Sequence, residues 1–202
     1  DSFHSASRVE SIEAACAHAA EMEQAGADIL DIGGQSTRPG ARHVGADEEG
    51  DRVLPVIEQI RKSLPNMPIS IDTFHARVAR EALDAGADIV NDIGAARLDR
   101  DMVDVLAAHK APCILMHMQG TPESMQDHPE YGDVVQEVIG FLAARLEVLD
   151  KAGVRHLAVD PGFGFGKTIE HNFTLLDHLR EFMDLGVPVL AGLSRKSMIY
   201  KT

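Results

Sequence analysis

Six short, largely apolar segments of this chain are each followed by a residue that hydrogen-bonds or carries charge. Asp31 follows Ile29-Leu30, Asp72 follows Ile69-Ser70-Ile71, Asn91 follows Ile89-Val90, and His117 follows Ile114-Leu115-Met116. Asp160 follows Leu157-Ala158-Val159, and Ser194-Arg195-Lys196 follows Leu190-Ala191-Gly192-Leu193. A single Asp or Asn in such a place reads as the cap of the next helix, and Asp28 and Asp92 are expected to be turn residues of that kind. Six in register imply more. If the segments are parallel strands, their polar ends meet on one rim and line a pocket of carboxylates, an amide and a lysine. Buried carboxylates stay ionised only when hydrogen-bonded or paired. A flat heterocycle with an amidine-like edge carries adjacent N–H donors that would satisfy them as a guanidinium does.

Competing chemistries fit less well. The histidines are scattered and only His117 falls on the rim, so no zinc or iron ligand spacing emerges. Ser194 lacks the G-x-S-x-G elbow of a serine hydrolase. The stretch DPGFGFGKT, Asp160 to Thr168, ends as a nucleotide-binding P-loop does, but the required leading glycine is replaced by Pro161, which has no N–H to offer a phosphate. Anion binding is better placed elsewhere. Gly33-Gly34-Gln35-Ser36-Thr37-Arg38-Pro39-Gly40 offers backbone N–H groups, hydroxyls and an arginine. Ser194-Arg195-Lys196-Ser197 opens a helix whose positive end favours anions. Either loop alone reads equally as a solvated turn; both on one rim point to a phosphate or carboxylate ligand.

The elements that must position these residues are written in a repeated phrase. Ala25-Gly26-Ala27-Asp28-Ile29-Leu30-Asp31-Ile32-Gly33 returns as Ala85-Gly86-Ala87-Asp88-Ile89-Val90-Asn91-Asp92-Ile93-Gly94, with weaker copies from Ala152 and Leu185. Each copy reads as a helix ended by a glycine with positive φ, then a short strand. Ile69–Ile71 and Cys113–Met116 add two strands, giving six with Val189–Ala191. Their apolar runs predict strands buried on both faces of a parallel sheet. Residues at helical spacing lie between them: Val9, Ile12, Cys16 and Ala19; Val53, Val56, Ile57 and Ile60; Val78, Ala82 and Leu83; Val138, Leu142, Leu146 and Leu149. The pattern predicts an α/β fold, a TIM (β/α)₈ barrel whose first and last strands are absent from this chain. An open doubly wound sheet is the alternative. One domain spanning 1–202, incomplete at both ends, is expected.

Composition narrows the setting. With 19 Lys and Arg against 32 Asp and Glu, the net charge of −13 disfavours a nucleic-acid surface. Apolar runs fall well short of the roughly 20 residues that span a bilayer. Cys16 and Cys113 lack disulfide or zinc spacing and read as buried thiols, so a cytoplasmic location is expected.

Seven ordered motifs carry a family resemblance. Asp1-Ser2-Phe3, GGQSTRPG from Gly33, IDT from Ile71, NDI from Asn91, LMHMQGTP from Leu115, DPGFGFGK from Asp160 and SRKS from Ser194 together resemble the dihydropteroate synthase family, the folate-pathway targets of sulfonamides. The resemblance covers essentially the whole chain. It implies a TIM barrel that joins 6-hydroxymethyl-7,8-dihydropterin diphosphate to p-aminobenzoate and releases pyrophosphate. By that resemblance Asp160 receives the pterin amino and ring N–H groups, Asn91 shares that edge, and Lys196 reaches the pterin oxygen side. Asp72 lies beside the ring near the reacting side, Ile93 and Met116 pack on its faces, and Phe165 lines the same pocket. Phe3, Thr37, Pro39, Phe165 and Ser197 would line the p-aminobenzoate pocket, and Arg38 would approach the diphosphate or carboxylate end. Catalysis would rest on Asp72, Lys196 and Arg38.

The resemblance also implies Mg²⁺ on the diphosphate. The family's asparagine metal ligand would precede Asp1, so no metal ligand is expected within this chain. A homodimer through the outer helices is likewise implied. The sequence departs from the family at His4, where a small polar residue is usual, and at Gln35, where Glu is common. Neither the upstream asparagine nor the terminal Arg-x-His motif occurs in these residues. The 202 residues are therefore expected not to be catalytic alone. Two alternatives are a pterin-dependent methyltransferase, which shares the Asp, Asn, Asp edge, and a non-catalytic pterin-binding relative.

Overall fold

A computed structural model describes residues 12–36, 44–122, 124–194 and 196–200, with the side chains of Ser197 and Tyr200 outside that description. Helices and strands alternate along it: α1 (Ile12–Gln24), β1 (Leu30–Gly33), α2 (Ala46–Ser63), β2 (Ile69–Asp72), α3 (Ala76–Asp84), β3 (Ile89–Asp92) and α4 (Met102–His109). Then come β4 (Cys113–Met116), α5 (Val134–Lys151), β5 (Leu157–Asp160), α6 (Ile169–Asp177), a 3₁₀ helix at Leu179–Leu185, and α7 (Ser197–Tyr200). The repeat's glycines adopt positive φ as the sequence predicts, from +74° at Gly186 to +112° at Gly86.

The sheet decides between the two architectures. All neighbouring strands are parallel, and their order in space is β1-β2-β3-β4-β5, the order of the chain. Parallel crossovers are right-handed, so crossovers that always step the same way put every helix on one face of the sheet. A doubly wound sheet must reverse its stepping to cover both faces. No reversal occurs here, and the five strands form the wall of a TIM barrel.

Two expectations are corrected. The sixth strand, Val189–Ala191, shrinks to a single parallel bridge, Val159 to Val189, although Val159 N–H still donates to Pro188 O and Leu190 N–H to Val159 O, continuing the order. Burial is also unequal between the two faces of the strands, although Ser70 and Met116 are buried on the concave one. Ile69, Ile71, Val90, Asp92, Cys113, Leu115 and Val159 have essentially no exposure. Their alternates Ile89, Asn91, Ile114 and Ala158 are half-buried. Side chains of a strand alternate faces, so the core lies between the strands and the helices, where Ile57, Val78, Leu106, Val138 and Leu142 join one apolar cluster with the strand residues. Each such buried aliphatic side chain contributes roughly 1.5–3 kcal/mol. The opposite, concave face holds the polar residues.

Local chemistry sets the helix starts that frame this face. Asp133 caps α5 by accepting from Val135 N–H and Gln136 N–H, and Thr168 caps α6 in a reciprocal pair with His171.

Candidate active site

Parallel register brings the strand ends to one rim. Gly33 pairs with Asp72, Asp72 with Asn91, and Met116 with Asp160. A Cβ on Gly33 would lie 3.4 Å from the Asp72 Cβ, so glycine keeps that side of Asp72 open. Asn91 Nδ2 donates to Asp31 Oδ2 at 3.3 Å. Asp31 reaches solvent, yet the walls around its carboxyl raise its pKa by desolvation, with Asn91 pulling the other way. Ser70 also draws close enough to favour the ionised Asp31, but Ser70 Oγ falls short of hydrogen-bond geometry. Asp72 is pushed up much further, first by burial and then by the negative charges of Asp31, Glu49 and Asp92. Two carboxyls so placed do not both ionise easily, and Asp72, the more strongly raised, is the less readily ionised of the two.

Across the recess burial again dominates, but it meets more opposition. Burial raises Asp160, but Gly162 N–H donates to its Oδ1 at 2.7 Å, and Lys196 and Lys167 add positive charge. A Cβ at Gly192 would stand 3.7 Å from Asp160 Oδ2, so this wall also lacks a side chain. Burial lowers the Lys196 pKa, against the pull of both Asp160 and Asp72. Both acidic groups thus act on its ammonium, and its Nζ lies 4.3 Å from the centre of the Phe165 ring. Asp72, Asn91, Asp160 and Lys196 thus share one recess.

Apolar faces complete it. Phe74, Ile93, Met116, Met118, Met125 and Phe165 form a cluster separate from the main core. Ile93, Met116 and Phe165 were singled out in the sequence; Phe74, Met118 and Met125 were not. Met118 repeats Met116 at the spacing of two that marks one face of an extended chain, and Phe74 stands two residues beyond Asp72. Met125 carries no such signal.

His117 corrects the rim assignment. Its side chain is buried and turned under the loop that follows β5, where Lys167 Nζ meets its Nδ1 at 2.9 Å. Burial, then the neighbouring lysine, lowers its pKa to about 3, so it is neutral. Asp92 stays a turn residue as expected, but a fully buried one. Its carboxylate accepts from Gly94 N–H at 2.6 Å and Ala96 N–H at 2.9 Å. That grip holds Ala95 and Ala96 at φ of +52° and +55°, a conformation that alanine avoids. Phe3, Thr37, Arg38 and Pro39 lie outside the described residues, as does the side chain of Ser197.

The arrangement suits one kind of guest. Asp160 can accept N–H donors, Asn91 can both donate and accept, Lys196 can meet an oxygen, and the apolar cluster offers a wall to a ring. Among the described residues no three His, Cys, Asp or Glu come together as a metal cage.

Fold and recess together define a barrel enzyme built to hold a flat, donor-rich heterocycle. The family model described as "Pterin binding enzyme" matches residues 1–202. The dihydropteroate synthase of a Synechocystis strain is 48% identical over 203 residues, covering 100% of this chain and 70% of the relative. The Yersinia pestis dihydropteroate synthase, solved with a sulfonamide drug, superposes with a TM-score of 0.95 at 41% identity and covers 100% of this chain and 73% of its own. The Xanthomonas albilineans enzyme in complex with 7,8-dihydropteroate gives 0.84 at 42% identity over 98% of this chain and 70% of its own. The chain belongs to the pterin-binding enzymes, within the dihydropteroate synthase family.

Proposed function

We propose that this recess binds 6-hydroxymethyl-7,8-dihydropterin diphosphate and transfers its pterinylmethyl group to the nitrogen of p-aminobenzoate, releasing pyrophosphate. One observation carries the reading: Asp72, Asn91, Asp160 and Lys196, far apart in sequence, converge on a slot walled by Ile93, Met116 and Phe165. Asp160 and Asn91 take the N–H edge of the pterin, and Lys196 takes its oxygen side. The aryl amine is a weak nucleophile, so the rate depends on stabilising separated charge as diphosphate leaves. The negative charge of the recess stabilises the positive charge that spreads into the pterin ring. Asp72, beside the reacting side, is deprotonated more easily as that cation develops.

Arg38 and the GGQSTRPG loop serve the anionic end, and Phe3, Thr37, Pro39 and Ser197 the p-aminobenzoate ring. Mg²⁺ bound to the diphosphate oxygens would help that group leave. Exposed apolar side chains on the outer surface, Val148, Phe173 and Met183, support pairing with a second copy. No helix among the described residues is long and apolar enough to cross a membrane, and both cysteines are free thiols, which supports a reducing cytoplasm. The test is to supply pterin diphosphate and p-aminobenzoate and measure pyrophosphate. With the upstream asparagine and the Arg-x-His motif supplied, stoichiometric pyrophosphate and dihydropteroate are expected, and pterin binding without either product would return the chain to the non-catalytic alternative. Product from the 202 residues alone would overturn the expectation that they are not catalytic by themselves.

A further inference from the structure

The lysine that gives DPGFGFGKT its likeness to a phosphate-binding loop does the opposite job. Lys167 is 3% exposed, and its Nζ lies 2.9 Å from His117 Nδ1, 3.2 Å from His117 O, 3.0 Å from Gly162 O and 2.9 Å from Phe165 O. A P-loop turns N–H groups inward around an anion; this loop turns carbonyls inward around its own ammonium. The turn needs Gly162 at φ +73° and Gly166 at φ +59°. A Cβ on Gly162 would fall 1.9 Å from His117 O, so the loop presses directly on the end of β4.

We infer that Lys167, buttressed by His117, is the positioning residue that sets Asp160 and Phe165 at the geometry pterin requires. Two of its four acceptors belong to His117, next after Met116 at the end of β4, and two to the loop that carries Phe165. That loop's Gly162 N–H in turn donates to Asp160 Oδ1, so one ammonium ties together the carboxylate that takes the pterin edge and the ring beside it. The imidazole serves as an acceptor because an ammonium has only protons to offer. Burial lowers Lys167 to about 7, with Asp160 opposing and Lys196 adding to the fall, while hydrogen-bond acceptors around an ammonium favour its charged form. Other ties to the loop hold its outer side: Gln126 Nε2 donates to Gly164 O at 2.8 Å and Tyr131 Oη to Gly166 O at 2.7 Å. None of those reaches Gly162 or Phe165.

This inference rests on the pterin reading, and the experiment separates the two. Calorimetric titration of pterin diphosphate into the intact protein comes first; a wild type that binds none sinks the functional reading, and the inference with it. Given wild-type binding, Lys167→Met keeps the length of the side chain and removes every donor. The Kd for pterin diphosphate is expected to rise about a hundredfold, the cost of a misplacement of about 1 Å in a preorganised site, while the KM for p-aminobenzoate, a substrate that meets only Phe165 of the two positioned groups, rises by a clearly smaller factor. A folded variant with an unchanged pterin Kd, or with both substrates weakened alike, overturns the positioning role. Should Lys167→Met not fold, His117 decides. His117→Asn retains an acceptor and is expected to bind pterin nearly as wild type, whereas His117→Leu removes it and weakens binding at least tenfold. Equal binding by these two variants overturns the inference.

Discussion

The two halves of the rim are built on opposite principles. On the β4–β5 side charged groups meet partners: Lys167 has four acceptors, Asp160 has a backbone N–H and Lys196, and Asn172 Oδ1 accepts Gly164 N–H at 2.7 Å. On the β1–β2 side the carboxyls crowd one another. Asp31, Glu49 and Asp72 all have raised pKa values, chiefly from burial. The buried side-chain atoms without a hydrogen-bond partner among the described residues, Gln35 Nε2, Glu49 Oε1 and Ser70 Oγ, all lie on that side. The difference teaches where order and reactivity sit. The satisfied half is a rigid template for recognition, and the half where carboxyls crowd one another holds protons that a developing cation would help to release. Buried groups left unpaired cost stability, and functional sites are where such costs persist.

Breaking the template should give the largest effect. Asp160→Asn keeps an oxygen for Gly162 N–H but replaces the charged acceptor with a donor facing the pterin's own donors. The pterin Kd is expected to rise at least about a hundredfold, near 3 kcal/mol, read by calorimetry. Unchanged affinity would remove Asp160 from the recognition edge.

Much of this contrast was legible in the chain. The repeated Ala-Gly-Ala-Asp phrase placed helices and strands, and polar residues after each strand located the rim, because parallel strands leave few other places for them. The alternation of faces was hidden because a four-residue strand such as Ile69-Ser70-Ile71-Asp72 holds only two residues per face, too few to reveal a period. His117 was misplaced because the chain leaves β4 and turns its ring beneath a loop fifty residues away. Lys167 was overlooked as a part of the site because a lysine among glycines reads as solvated; only the carbonyl cage makes its burial tolerable. Helices α4 and α6 do not stand out in the sequence because they are only eight and nine residues long, and the helix read before Gly186 proves to be a 3₁₀ one.

The crowded half has a pH signature. Glu49 is fully buried on α2, with Thr73 Oγ1 donating to its Oε2 at 3.0 Å. Desolvation raises its pKa from 4.5 to about 7, with Thr73 and Arg52 opposing. Between those values the folded chain holds a proton that the unfolded chain has lost, so stability falls as pH rises across this window. The cost is absent below the unfolded value and complete above about pH 7, where it reaches about 3 kcal/mol. Glu49→Gln has no such proton. Its denaturation midpoint is expected to decline less steeply between pH 4.5 and 7.5 than that of wild type, the remainder coming from the other raised carboxyls such as Asp72 and Asp92. Parallel profiles for the two proteins would show that Glu49 does not titrate in that window.

The smallest effect tests how redundant the template is. Thr168 stands next to Lys167 and begins α6, its Oγ1 accepting His171 N–H at 3.1 Å while His171 Nδ1 accepts Thr168 N–H at 3.3 Å. Thr168→Ala removes the side-chain cap and is expected to lower stability by about 1 kcal/mol, measured by denaturant unfolding. The pterin Kd should not move, because the lysine cage and the Asn172 contact to Gly164 hold the loop independently of the cap. A parallel loss of pterin affinity would mean that the helix, rather than the ammonium, orients the loop. The contrast between a locked half and a strained half would then reduce to the ordinary docking of α6.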